Sequence, residues 1–278
     1  MSAGLVSTRR AGLAAWLTLA ISALFALVPV GWLLLTAFTR DSDIFQMPPS
    51  LQRSLTIDQV KSVITNQQLT QFLINGLLVS MTTAVVSLII GSLAGYSFSK
   101  FRYRGRSSFM YLLLVAQMVP EVLLLLTLYT AFTKVGLLNS YVGLTLSYVT
   151  FTLPLSVFMM KNTFDSVPDE LLESGRIDKA TEWGILLRIV LPVVSTSMVA
   201  VAMFAFIRAW NDLVYSLTLM DTPKQTLPAG LTLTYLGEFQ NSYGEMMAAS
   251  LLSSIPVVAI FLVFQRHFVS GALAGSIK

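Results

Sequence analysis

Long apolar stretches separated by short charged ones set the character of this chain. Six blocks, at residues 11–38, 71–97, 109–132, 141–160, 193–219 and 246–264, stay apolar for roughly the 20 residues that a helix needs to cross a bilayer. Inside hydrocarbon the backbone must satisfy its own hydrogen bonds, so the pattern predicts helices. The period-two alternation of a membrane β-barrel strand is missing. The first block follows Arg9 and Arg10, as the core of a signal peptide would. It is too long for such a core, and Thr39, Arg40 and Asp41 after it form no small-residue cleavage site, so it reads as a retained span.

The charges between the blocks predict an orientation. An odd–even split of the loops puts Arg9, Arg10, Lys100, Arg102, Arg104, Arg106, Lys161, Arg176, Lys179, Arg188, Arg266 and Lys278 on one side. Arg40, Arg53, Lys61, Lys134 and Lys224 fall on the other. The richer side is expected to be cytoplasmic, with both termini there and lipid around the spans. The loops at 39–70 and 221–245 then face outward; both carry Pro, Asp, Gln and Asn.

Composition narrows the chemistry. Only 12% of the residues are charged and 55% are hydrophobic, against about 25% charged in soluble domains. Net charge +4 and a pI near 9.4 would suit nucleic acid, but the charges sit in loops where topology places them, so no nucleic-acid partner is expected. Cysteine is absent, which excludes disulfides and thiolate chemistry. The single histidine, His267, lies beside Arg266 near the end and reads as an interface residue. No H-E-x-x-H or G-x-S-x-G motif occurs, so an intramembrane enzyme is not expected.

The segment 161–192, KNTFDSVPDELLESGRIDKATEWGILLRIVLP, is the longest on the cytoplasmic side and carries its own helix signals. Ser166 and Asp169 have capping-box spacing, with Pro168 in the first turn. Asp169, Glu170 and Glu173 place negative charge near the positive helix end. Leu171, Leu172, Ile177 and Ala180 give a partial apolar stripe, and Gly184 is expected to interrupt it. Helices that lie on membranes are usually basic on their polar face. Here the acids Asp165, Asp169, Glu170, Glu173, Asp178 and Glu182 outnumber the bases Lys161, Arg176, Lys179 and Arg188, which favours docking to a protein. Small Ser174 and Gly175 would let the helix sit deep in a partner's groove.

This segment resembles the EAA loop of the binding-protein-dependent ABC importer permeases: E-A-A, three residues, G, nine residues, I-x-L-P. Glu173 heads the motif, Asp178 stands where the family usually has Asp, and Ile189, Leu191 and Pro192 fall at the expected offsets. Ser174 and Gly175 replace the two alanines, and Lys179 replaces the glycine. FIRAWNDLVYSLTLM (206–220), TLPAGL (226–231), the stretch 248–278 and INGLLVS (74–80) resemble, in order, parts of the MalG-like subunits of carbohydrate importers.

The resemblance implies an all-α integral membrane protein of about six spans in the type I importer permease fold. Residues 1–71 would hold the first span and an outer loop, 72–265 the transmembrane domain with a coupling helix at about 166–183, and 266–278 a cytoplasmic tail. Glu173, Ser174, Gly175, Ile177, Asp178, Lys179, Leu191 and Pro192 would form the coupling element. The implied partners are a second permease subunit, two ATPase subunits and an external sugar-binding protein, working by alternating access. ATP and Mg would belong to the ATPase subunits: no G-x-x-x-x-G-K-[ST] loop occurs here, and no cofactor is expected on this chain. The competing reading is a gradient-driven transporter or channel subunit, for which the acidic helix with EAA spacing has no use. An oligosaccharide or disaccharide is the expected cargo, with glycerol phosphate as an alternative.

Polar residues inside the blocks are candidates for the pathway, because charge at membrane depth is costly unless it faces a cavity or a partner. Arg208 and Asp212 are four apart and can pair on one helix face; they either satisfy each other near the outer end or line the pathway. Trp210 and Asn211 lie between them, Trp210 as a sugar-stacking or an interfacial ring. Glu121 follows Pro120, so a broken helix there would aim an acid at a cavity or at the sister subunit; Gln117 lies one turn before it.

Overall fold

The computed structural model describes residues 12–44, 54–236 and 242–275, without the side chains of 13, 14 and 266–275. Arg9, Arg10, the side chains of Arg266 and His267, Lys278, Arg53 and the part of the outer segment at 237–241 lie outside the described residues. The helices are α1 (Leu13–Ala37), α2 (Asp41–Ile44), α3 (Asp58–Thr65), α4 (Gln67–Lys100), α5 (Arg106–Ala116), α6 (Glu121–Val135) and α7 (Tyr141–Asp165). They continue with α8 (Asp169–Ile177), α9 (Glu182–Ile185), a π turn (Leu186–Val190), α10 (Leu191–Val193), α11 (Ser195–Trp210), α12 (Val214–Leu219), α13 (Leu227–Tyr235) and α14 (Tyr243–Gly275). Among the described residues the only β pairing between two of them is an isolated bridge, Thr39 to Leu55.

Two compact units divide the chain: Met1–Thr65 with Tyr235–Leu252, and Asn66–Thr234 with Ser253–Lys278. In the first, Asp41 accepts from Gln59 Nε2 (3.2 Å) and from the amide of Gly244 (2.9 Å), which ties α2, α3 and the start of α14 together. α1 is mostly apolar, and from Ala15 to Val30 its side chains are exposed, Phe25 at 84%, as lipid-facing groups are.

Among the described residues four helices are long and apolar enough to cross a membrane, and six spans result if two bent pairs each count as one. α5 and α6 form the first pair, with an angle of 98° between them. The cause is Pro120: it offers no amide hydrogen and disfavours helix at the residue before it. The second pair is Glu182–Val193 with α11, bent by 82° at Val194, two residues after Pro192. The expected fifth block therefore holds two turns of direction. Helix α11 stops at Trp210, and residues 211–213 leave helical geometry before α12.

The second unit is built on α4 against α7. α4 starts at Asn66, whose Oδ1 accepts from the amides of Gln68 (3.0 Å) and Leu69 (3.4 Å). The middle of its buried face is small: Ser80, Thr83, Ser87, Gly91 and Gly95. Tyr148, Thr152, Ser156 and Met160 repeat every four residues on the facing side of α7. Ser87 Oγ and Thr152 Oγ1 lie 2.8 Å apart, and a Cβ on Gly91 would fall 3.1 Å from Ser156 Cβ. Lipid and helix surfaces are equally apolar, so close backbone approach through small residues, not hydrophobicity, joins such helices.

Candidate coupling and pathway sites

Helix α8 is clamped at both ends. At its start, Lys100 Nζ donates to Asp169 Oδ1 (2.6 Å) and to the Val167 carbonyl (2.7 Å). That hydrogen bond, and then the charge of Lys100, hold the Asp169 carboxyl below its ordinary 3.8. A lowered value means the tie is complete at neutral pH and is lost only as acid protonates the carboxylate. At the other end the Arg176 guanidinium grips Glu182 with two bonds, 2.8 and 3.3 Å. The expected capping by Ser166 is not what forms: its Oγ donates back to the Thr163 carbonyl (2.7 Å), and Pro168 occupies the cap position.

The helix ends before Gly184. Ala180 N–H donates to Gly175 O and Lys179 N–H to Arg176 O, both at 3.0 Å, which is the Schellman closure. Lys179 carries the left-handed turn, with φ 60°. Its place is the motif's glycine, so the glycine is explained by a conformation that L side chains resist by roughly 1–2 kcal/mol. Gly184 sits inside α9, whose Thr181 cap accepts from its amide at 3.1 Å. Lys179→Gly is expected to stabilise the chain by about 0.5–1 kcal/mol, the strain relieved less the added freedom of the unfolded glycine. Thermal unfolding in detergent checks it; a lower melting temperature would mean that the lysine side chain makes a contact of its own.

The two faces of α8 differ. Leu172 and Gly175 are buried, and a Cβ on Gly175 would stand 2.9 Å from Ile189 Cδ1 and 3.1 Å from Ile185 Cγ1. Gly175 is thus small for packing within this chain, not for insertion into a groove. Glu173, Ser174, Asp178 and Lys179 are exposed, and Ile177 is 80% exposed although apolar. The anticipated apolar stripe is divided, with Leu172 inside and Ile177 out. Leu191 packs against the core formed by Ile185, Leu186 and Val190, while Pro192 is exposed beside the bend.

At the α5–α6 break lies a cleft of about 410 Å³, lined by Gln117, Glu121, Thr150, Phe151, Phe204 and Arg208 among others. Arg208 pairs with Glu121, and its guanidinium carbon rests 5.3 Å from the centre of the Phe151 ring. The pairing of Arg208 with Asp212 does not form, because the chain leaves the helix between them. Asp212 instead accepts from Tyr148 Oη (2.9 Å) and from the amides of Tyr215 (3.0 Å) and Ser216 (3.3 Å), starting α12. Trp210 is buried and stacked on Phe206, away from this cleft. Asn211 turns back to the Ile207 carbonyl at 3.0 Å. Gln117, Glu121 and Arg208 are brought together; Trp210, Asn211 and Asp212 are not with them.

Two further polar anchors escaped the sequence reading. Asn75 accepts from Gln71 Nε2 and Tyr141 Oη, each at 2.8 Å, and donates to the carbonyls of Pro223 (3.1 Å) and Gln225 (2.9 Å). Tyr215 Oη donates to the Glu121 carbonyl at 2.7 Å. An Asn inside an otherwise apolar run was the available signal for the first.

A family model described as "binding-protein-dependent transport system inner membrane component" matches residues 87–273, which span α8, the bend and the cleft. The chain belongs to this family. Among curated relatives, the "diacetylchitobiose uptake system permease protein DasC" of Streptomyces coelicolor is 32% identical over 90% of this chain and 91% of its own length. The "galactooligosaccharides transport system permease protein GanQ" of Bacillus subtilis is 33% identical over 95% and 94%. A chain from the crystal structure of a bacterial ABC transporter that imports the acidic polysaccharide alginate superposes with a TM-score of 0.78, covering 92% of this chain and 96% of that one at 20% identity. This inner membrane component therefore has the fold of an ABC importer permease and several membrane-crossing helices.

Proposed function

We propose that this permease forms one half of the channel of an ATP-driven importer and passes a disaccharide or oligosaccharide inward by alternating access. The observation that carries the reading is α8: a short helix tied at its start to the end of α4 and at its end to α9, with an exposed acid and an exposed isoleucine on its outer face. A helix so clamped moves as a lever with the spans that hold it. Glu173 and Ile177 would engage an ATPase subunit on the cytoplasmic side, at the Lys100 end of α4, and Asp178 would border that contact. A second permease subunit would complete the channel, a sugar-loaded binding protein would dock outside, and ATP and Mg would be used by the ATPase pair.

The cleft supports a neutral cargo. Its one base is already matched by Glu121, so it offers no free cation to a phosphate, which weighs against glycerol phosphate. Phe151 and Phe204 give flat apolar faces, and Gln117 and Thr150 give hydrogen-bonding groups; an uncharged sugar needs both. The sugar-permease names of the relatives point the same way.

The test is the complete complex in liposomes, with ATP hydrolysis measured with and without binding protein and candidate sugars. Sugar-loaded binding protein is expected to raise hydrolysis several-fold, and glycerol phosphate is expected to have no effect. A chain that assembles without any ATPase would overturn the importer reading and restore the gradient-driven alternative.

A further inference from the structure

At the Lys100 end of α4 a crevice of about 240 Å³ opens between α4 and α9, walled by Leu93, Ser97, Phe101, Trp183 and Leu186, with Glu182 at its edge. Tyr96 lines it too, almost wholly buried, and its hydroxyl has no hydrogen-bond partner among the described residues. Trp183 is 62% exposed. Leading out of the crevice, bases alternate with rings: Lys100, Phe101, Arg102, Tyr103, Arg104. Ser97 Oγ, 3.4 Å from Tyr103 Oη, ties the rim to this loop. Lys100 is committed to Asp169, and Arg106 donates to the Phe101 carbonyl at 3.2 Å. Arg102 and Arg104 are exposed and make no hydrogen bond or ion pair with the described residues.

We propose that this crevice binds an anionic phospholipid, its acyl chain against Leu93, Phe101, Trp183 and Leu186 and its phosphate on Arg102 and Arg104. A loop that only obeyed the charge rule for topology would need the arginines alone. The half-exposed rings between them, and the apolar slot they lead into, match a molecule with one charged end and one greasy end. Rings and long basic side chains settle at the headgroup level, and α4 turns from apolar to basic here. An occupied crevice fills the space between α4 and the segment leaving α8, so lipid would support the coupling lever. The inference rests on this end of α4 lying at the bilayer edge, as the importer reading places it.

The full-length chain is reconstituted in bilayers containing either brominated phosphatidylglycerol or brominated phosphatidylcholine. The emission of Trp183 is isolated as the difference between wild type and Trp183→Phe. Brominated phosphatidylglycerol is expected to quench it at an about thirtyfold lower mole fraction than brominated phosphatidylcholine, as two basic side chains at an anionic surface imply. R102Q/R104Q is expected to remove the preference and R102K/R104K to keep most of it, with circular dichroism confirming that both fold. Equal quenching by the two lipids in wild type, or a preference that survives R102Q/R104Q, overturns the site. Absence of quenching by either lipid also overturns it, by showing that the crevice faces water or protein. None of these results touches the hydrolysis test above, so the two readings fail separately.

Discussion

Replacing Glu173 with lysine is expected to stop transport and leave the isolated chain as stable as before. Glu173 lies on the outer face of α8 and makes no side-chain hydrogen bond or salt bridge with the described residues. Its removal costs this chain nothing beyond the few tenths of a kcal/mol usual for a surface change, within about 0.5 kcal/mol. In the assembled importer the same position would meet a basic group of the ATPase subunit. A lysine there opposes like charges across an interface, which costs several kcal/mol, enough for an at least hundredfold loss of assembled complex or of uptake. Glu173→Gln keeps the shape without the charge and is expected to fall between the two. Sugar uptake by liposomes holding the complete complex, beside thermal unfolding of the chain alone, separates the effects. Undiminished uptake with Glu173→Lys would remove Glu173 from the coupling contact.

The spans were legible because the bilayer demands one signal, continuous apolar length, and the chain provides it in blocks. The short helix α8 was legible because Pro168 and the acid-rich first turn are local features. Which face of α8 points outward was not, because that depends on what packs beneath it. Gly175 reads as small for a partner's groove until Ile185 and Ile189 are found under it. Ile177 reads as part of an apolar stripe until Leu172 and Ala180 turn inward without it. Arg208 and Asp212 show the limit of helical spacing: four residues apart implies a shared face only while the helix lasts, and it ends at Trp210. Arg208 then finds Glu121, 87 residues away, a contact that no local pattern encodes. Lys179 is the reverse case. The sequence marked it as a departure from the glycine of the motif, and the positive φ shows what the glycine is for.

Gly95→Leu is expected to be a severely damaging substitution in the second unit, because it forces α4 and α7 apart. A Cβ at Gly95 would lie 2.8 Å from the amide nitrogen of Lys161 and from Met160 Cβ, and 3.1 Å from the Met160 carbonyl carbon. Two of these atoms are backbone, so no rotamer change on α7 makes room, and the helices must separate. Separation breaks what the crossing aligns: the Ser87–Thr152 hydrogen bond at one end and, at the other, Ser99 Oγ to Asp165 (2.7 Å) and Lys100 to Asp169. Overpacking alone costs about 1–3 kcal/mol. With the three lost polar contacts at roughly 1 kcal/mol each, the sum reaches about 4–6 kcal/mol, comparable to the whole margin of many domains. Gly95→Ala is expected to lose a smaller but clear part of it, because its Cβ already meets the Lys161 amide. Gly31 in α1 is the matched control: a Cβ there meets nothing within 4 Å, so Gly31→Leu is expected to leave the melting temperature unchanged. Thermal unfolding of the three variants in one detergent decides the matter. If Gly95→Leu melted with wild type, α4 and α7 would not cross at this residue. The clamp on α8, which hangs from the Lys100 end of the same crossing, would then lose its anchor.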